Sequence, residues 1–314
     1  MSVYNRIGGG MNKVTLDGKP PKDRINLNEK VFTNYISKKP EEIRDVKSVI
    51  YHNKTDSFYF VAHSNNYKGI HKIILNANRF KAEKQNALPS TSYDIMLFIR
   101  KGDIYLKQEC NIYVYNTKDK IFTEIAKNLP DTFYYAKVCI YDVLEDRLIV
   151  STSNKIRSYS FEEKTVTEIS NTFPSNDIVL AGAPIIKGNK LHFIGVGETF
   201  RDIASINLNT GIVTTFNNVL PFPINNLYGV GSAKAFLLNN EIYLIGLNDG
   251  MMESNYYLFK ECEDIDKWER DSICTNQHGK LTHFVNKSND SVLVFNFETL
   301  SDCYEIKKAY VKEK

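Results

Sequence analysis

The sequence predicts an all-β chain folded as a six-bladed β-propeller, its ring closed by a strand from near the N-terminus. Three observations predict it. A turn followed by an apolar-rich strand recurs six times. A second pair of strands follows most copies. A proline then stands at a near-constant distance from an apolar anchor in the last strand.

The first element is an Asp or Asn in a tight turn before a four-residue strand. Asp56 precedes SFYF, Asp103 IYLK, Asp146 RLIV, Asn189 KLHF, Asn240 EIYL and Asp290 SVLV, at spacings of 47, 43, 43, 51 and 50 residues. Asn, Asp and Gly tolerate the positive φ that two-residue hairpin turns need. The second element is a strand, a polar turn and a short strand, as in 113–125, 157–169, 205–216 and 256–271, with a looser copy at 70–84. Its anchors are Phe80, Phe122, Val166, Val213 and Trp268. The third element is the proline. Pro130, Pro174 and Pro221 follow their anchors by 8 residues and Pro89 by 9. Proline cannot donate to a ladder, so it marks the exit from a strand.

Each unit therefore reads as four antiparallel strands, a to d. The sixth unit lacks strand d before the sequence ends at Lys314. Residues 30–36, KVFTNYI, carry Phe32 8 residues before Pro40. This predicts that residues 30–36 pair with the C-terminal segment near 302–311 and complete the sixth blade. Residues 28–314 then form one propeller, and 1–27 an N-terminal arm.

Composition fits this reading. Hydrophobic residues make up 42%, and Tyr (19) and Phe (18) are abundant, as strands favour. The net charge of +3, from 40 basic and 37 acidic residues, is too balanced to imply nucleic acid. No stretch approaches a membrane span. The N-terminus, MSVYNRIGGGMNK, has no apolar leader core, which predicts cytoplasmic synthesis without a signal peptide. The five cysteines are scattered and are expected to be reduced, half-buried thiols.

The unit at 242–271 resembles a kelch repeat: Gly246, Tyr257 and Trp268 stand where that repeat has its glycine pair, Tyr and Trp. IGVGE (194–198) is a second partial match, and the other units lack the glycine pair. The resemblance covers roughly residues 30–311. It implies a propeller that serves as a binding platform or, less often, an enzyme; sialic-acid mutarotases are the nearest enzymatic analogy. The opening Tyr4-Asn5-Arg6-Ile7-Gly8, followed by such repeats, is similar to tail-associated proteins of phages and prophages in low-GC Gram-positive bacteria.

No catalytic pattern is present. There is no Asp box of a sialidase, no copper site of a galactose oxidase, no nucleophile elbow, no P-loop and no HExxH. The six histidines show no metal-ligand arrangement, and His192, in an apolar strand, reads as a satisfied core residue. No cofactor or metal is expected. The expected function is a non-enzymatic binding or structural module, a virion or tail-particle component attached to a protein partner through its arm. A glycan-binding propeller or a sugar-modifying enzyme is the alternative. Tyr4, Arg6, Ile7, Gly8, Gly9 and Gly10 are the expected docking residues of the arm. The long segments fall on the face of the d–a linkers and b–c loops, where binding residues concentrate. Asn66, Tyr67, Phe133, Tyr134, Arg201, Asn225, Asn226 and Tyr228 are the expected contacts there, for a glycan or a protein loop. Each has a plainer role as a packing or capping residue of its linker.

Overall fold

The computed structural model describes residues 2–7, 10–15, 24–33, 44–64, 67–76, 79–90, 94–136, 138–152, 155–170, 183–196, 201–220, 234–247, 255–261, 265, 267–275, 283–288, 291–295 and 302–309. They form a β-propeller of six four-stranded antiparallel sheets, with one separate two-stranded sheet.

The separate sheet is a hairpin of β1 (Ser2–Ile7) and β2 (Gly10–Thr15), in register from Ser2↔Thr15 to Ile7↔Gly10. β3 (Arg24–Thr33) follows. Blade 1 is β4 (Arg44–His52), β5 (Ser57–Ser64), β6 (Tyr67–Asn76) and β7 (Arg79–Ala87). Blade 2 is β8 (Ile95–Arg100), β9 (Asp103–Gln108), β10 (Asn111–Asn116) and β11 (Ile121–Ala126). Blade 3 follows a one-turn helix, α1 (Asp131–Tyr134), and is β12 (Val138–Asp142), β13 (Arg147–Ser151), β14 (Ile156–Ser160) and β15 (Val166–Ser170). Blade 4 is β16 (Ala183–Lys187), β17 (Lys190–Val196), β18 (Asp202–Asn207) and β19 (Val213–Phe216). Blade 5 is β20 (Lys234–Leu238), β21 (Glu241–Leu247), β22 (Asn255–Glu261) and β23 (Trp268–Thr275). Blade 6 is β24 (His283–Ser288), β25 (Ser291–Phe295) and β26 (Asp302–Ala309), completed by β3.

The first strands of the blades meet in cyclic order: β4 lies against β8, β8 against β12, and so on to β24, which returns to β4. That closed order makes the sheets a ring. The six expected b strands are β5, β9, β13, β17, β21 and β25. Positive φ falls on the expected Asp56 (43°), Asp146 (48°) and Asn240 (60°), but on the preceding Gly102 (79°) and Gly188 (58°) rather than on Asp103 and Asn189. The c–d turns share a second device. The side-chain oxygen of Asn116 accepts the N–H of Lys118 and Asp119, and Asn207 does the same for Asn209 and Thr210. Such turns hold the chain before strand d can pair.

Aliphatic and aromatic side chains fill the space between neighbouring sheets. Tyr59, Val61 and Ile70 of blade 1 pack with Leu97, Ile104 and Tyr115 of blade 2, and Phe122 joins them. Val166 packs into the core of blades 2 and 3, Val213 into that of blades 3 and 4, and Trp268 into that of blades 4 and 5. The anchors are thus wedges between blades. The residue before three of the prolines is a latch. The N–H groups of Leu88, Leu129 and Leu220 donate to the carbonyls of Lys68, Cys110 and Arg201, at 3.0, 2.9 and 3.0 Å. Each leucine also packs against an inter-blade core.

The closing strand is present, with a corrected register. β3 spans Arg24–Thr33 rather than 30–36, and residues 34–36 lie outside the described residues. It pairs antiparallel with β26 from Asp302↔Thr33 to Ala309↔Arg24. In the other blades the anchor opens strand d and faces the end of strand c, as Phe122 faces Tyr115. Phe32 instead pairs with Cys303, near the start of strand c. Its offset to Pro40 therefore located the right strand from the wrong end. Residues 24–27, assigned to the arm on sequence, belong to the sixth sheet.

Removing residues 1–33 should abolish a single cooperative melting transition, because blade 6 loses its outer strand. Removing only 1–15 should leave the midpoint within about 3 °C. Calorimetry of both truncations checks this.

Candidate functional site

The d–a linkers and b–c loops lie on one face of the ring, and the a–b and c–d turns on the other. On the loop face, the 127–137 linker carries α1. Its Thr132 and Phe133 are buried, and Phe133 packs with Leu148, Val150 and Tyr159. Phe133 is therefore corrected from a surface contact to a core residue. One helical turn points Thr132 and Phe133 inward and Tyr134 outward. Tyr134 and Tyr135 are 45% and 64% exposed, with their rings edge to face at 4.9 Å. Arg201 is half-buried, and its carbonyl receives the Leu220 latch. Tyr67 opens β6, paired with Ser64. Asn66, Asn225, Asn226 and Tyr228 lie outside the described residues, as do Gly8 and Gly9. Tyr4, Arg6, Ile7 and Gly10 sit in the β1–β2 hairpin.

Beneath the loop face, the fully buried Lys107 is paired with Asp94, and Gln108 clasps Ser90 through both its amide atoms. Burial pushes Asp94 above the usual carboxylate range, and Lys107 opposes that shift. A lysine ending the otherwise apolar IYLK strand was the signal for this pair. Burial also raises the thiols of Cys110 and Cys139, the latter to about 12. Both are free, and neither is primed as a nucleophile. Among the described residues no three His, Cys, Asp or Glu side chains cluster as metal ligands. His192 is buried and bonded through Nδ1 to Ser205 Oγ at 2.7 Å, as a satisfied core histidine.

On the turn face, two of the repeat's acidic turn residues, Asp103 and Asp146, each receive a cation from the preceding blade. Lys54 reaches Asp103 at 2.7 Å. Arg100 Nε and Nη2 reach Asp146 at 2.6 and 2.8 Å, and Lys101 joins at 2.8 Å. Tyr141 donates to the same carboxylate at 2.8 Å, and the Arg100 guanidinium lies 4.5 Å from the Phe161 ring centroid. The Arg100 hydrogen bond holds Asp146 well below the usual carboxylate range.

Beside the Lys54–Asp103 pair is a cleft of about 410 Å³ between the turns of blades 1 and 2, lined by residues that include His52, Lys54, Thr55, Asp103, Tyr115 and Thr117. The sequence placed binding on the opposite face and did not anticipate it. His52 is fixed by Nδ1 to Thr55 Oγ1 at 2.8 Å and by Nε2 to the Gly102 carbonyl at 3.0 Å.

No protein-family model and no curated protein sequence matches this chain. Among solved structures, a chain of the crystal structure of a mitotic checkpoint complex superposes with a TM-score of 0.53 at 8% identity. The match covers 95% of this chain and 99% of that one. The likeness is one of fold. No helix among the described residues is long and apolar enough to cross a membrane.

Two outcomes follow for stability. Phe133→Ala should cost about 3–5 kcal/mol, and Tyr134→Ala under roughly 0.5, in denaturant titrations. Burial lowers His71 and His192 from 6.5 to about 4. Between those values the unfolded chain binds protons that the folded chain does not. Stability should therefore fall as pH drops from about 6.5 to about 4, by roughly 3 kcal/mol per histidine. Unfolding midpoints recorded across that window check the slope, and His192→Asn should roughly halve it, leaving the part due to His71.

Proposed function

We propose that this chain is a non-enzymatic binding and structural module, docked to a protein partner through its N-terminal hairpin. The observation that carries the reading is the β1–β2 sheet, which shares no strand with the six blades. A propeller complete without that hairpin leaves it available as an attachment device. The exposed Tyr134–Tyr135 pair supports a second contact on the loop face, since aromatic pairs offer apolar area at low entropic cost. Burial holds the thiols of Cys110 and Cys139 away from reactivity, and both ring nitrogens of His52 are engaged in the fold.

The finer reading is that the assembly is a phage tail or tail-like particle. It is supported by the resemblance of Tyr4-Asn5-Arg6-Ile7-Gly8 to tail-associated proteins, and the hairpin contains Tyr4, Arg6 and Ile7. Particles from a host producing the chain without residues 1–15 should lack it, while the truncated protein stays folded in the lysate. Undiminished incorporation of that truncation would defeat the attachment role.

A further inference from the structure

The cleft between the turns of blades 1 and 2 combines size, charge balance and rigidity. Its volume of about 410 Å³ lies within the roughly 300–1,000 Å³ usual for small-molecule sites. Its charged groups are Lys54 and Asp103, 2.7 Å apart and each more than half exposed. Paired with each other, they present opposite charges side by side rather than a single-sign surface. His52 adds no charge near neutrality, because burial lowers it below the ordinary histidine range.

A charge-neutral pair that still faces solvent presents an ammonium donor and carboxylate acceptors side by side. A hydroxyl group both donates and accepts, so neighbouring hydroxyls can bridge such a pair. The hydroxyl-bearing Thr55, Thr117 and Thr123 line the same cleft, with Val114, above the buried Ile104 and Tyr115. The polar groups are held in place. A Cβ at Gly102, which has φ +79°, would meet Lys54 Cε at 2.7 Å, so that glycine lets the lysine lie across the turn towards Asp103. His52 is locked by Thr55 and Gly102. Tyr115 is wedged between Tyr59 and Phe122, at ring distances of 6.3 and 4.8 Å. Preorganisation of this kind lowers the entropic cost of binding.

From this arrangement we infer that the cleft binds a neutral, hydroxyl-rich small molecule, a mono- or disaccharide, on the face opposite the long loops. The site is independent of the hairpin, so its success or failure leaves the attachment role untouched.

The test is ligand-observed saturation-transfer NMR on the full chain. The probes are glucose, galactose, mannose, N-acetylglucosamine, lactose and inositol, with glucuronate and inorganic phosphate as anionic comparisons. At least one neutral sugar should give a saturable signal. Asp103→Asn and Lys54→Gln should each weaken it about tenfold. Their melting midpoints should stay close to the parent's, since an exposed ion pair contributes little to stability. Thr117→Val is a further variant whose fold does not depend on that pair, and it too should weaken binding. Removal of residues 1–15 should leave the signal unchanged. Three results would overturn the inference: no signal from any neutral sugar, sugar binding indifferent to all three substitutions, or tighter binding of an anion than of every neutral sugar.

Discussion

A ring of sheets is stable only if its last sheet is as complete as its first. Here that condition rests on the pairing of β3 with β26, which joins Arg24–Thr33 to Asp302–Ala309. Without β3 the sixth blade would present β26 as an unpaired edge, the kind that invites pairing with another chain. With it, β3 also lies against the outer strands β23 and β7 of the neighbouring blades. One strand thus completes blade 6 and seals both of its outer borders. Because the pairing spans nearly the whole sequence, it is the contact most expensive in chain entropy. The local hairpins of the blades have no such cost.

Contacts at different depths join the blades to one another. Between the sheets, wedges such as Phe122, Val166, Val213 and Trp268 fill apolar cores. At the turn face, Lys54 and Arg100 reach forward to the turn aspartates Asp103 and Asp146. The repeat's acidic residue therefore has two tasks. It takes the positive φ of the turn at Asp146, and it receives the preceding blade's cation there and at Asp103. Half-buried and bidentate, the Arg100–Asp146 contact is the stronger. The Lys54–Asp103 contact, open to water, is better suited to exchange partners with a ligand.

Much of this was legible in the residues, and the failures have physical causes. Turn residues and b strands are local, set within a few positions, so Asp56, Asp103 and Asp146 could be read directly. The anchors Phe122, Val166, Val213 and Trp268 were legible because one side chain must fill the same gap in each repeat. Phe32 misled by its register: a spacing to proline does not reveal which end of an antiparallel strand an aromatic occupies. Phe133 misled because a single helical turn reverses direction within one residue and separates it from exposed Tyr134. The cleft was invisible because Lys54 and Asp103 meet only when blades 1 and 2 pack. Their partnership is tertiary, and no local pattern encodes it.

The propeller depends on ring closure in this register, and cross-linking tests that register directly. Phe32 is the Cα partner of Cys303, and directly opposed antiparallel residues lie about 4.5–5.5 Å apart, within reach of a disulfide. Phe32→Cys, purified reduced and then mildly oxidised, should give one new disulfide between positions 32 and 303, identified by peptide mass, and a chain that migrates faster without reductant. A thiol at position 32 that stays free after oxidation, or that bonds to any of the other four cysteines, would contradict the closure described.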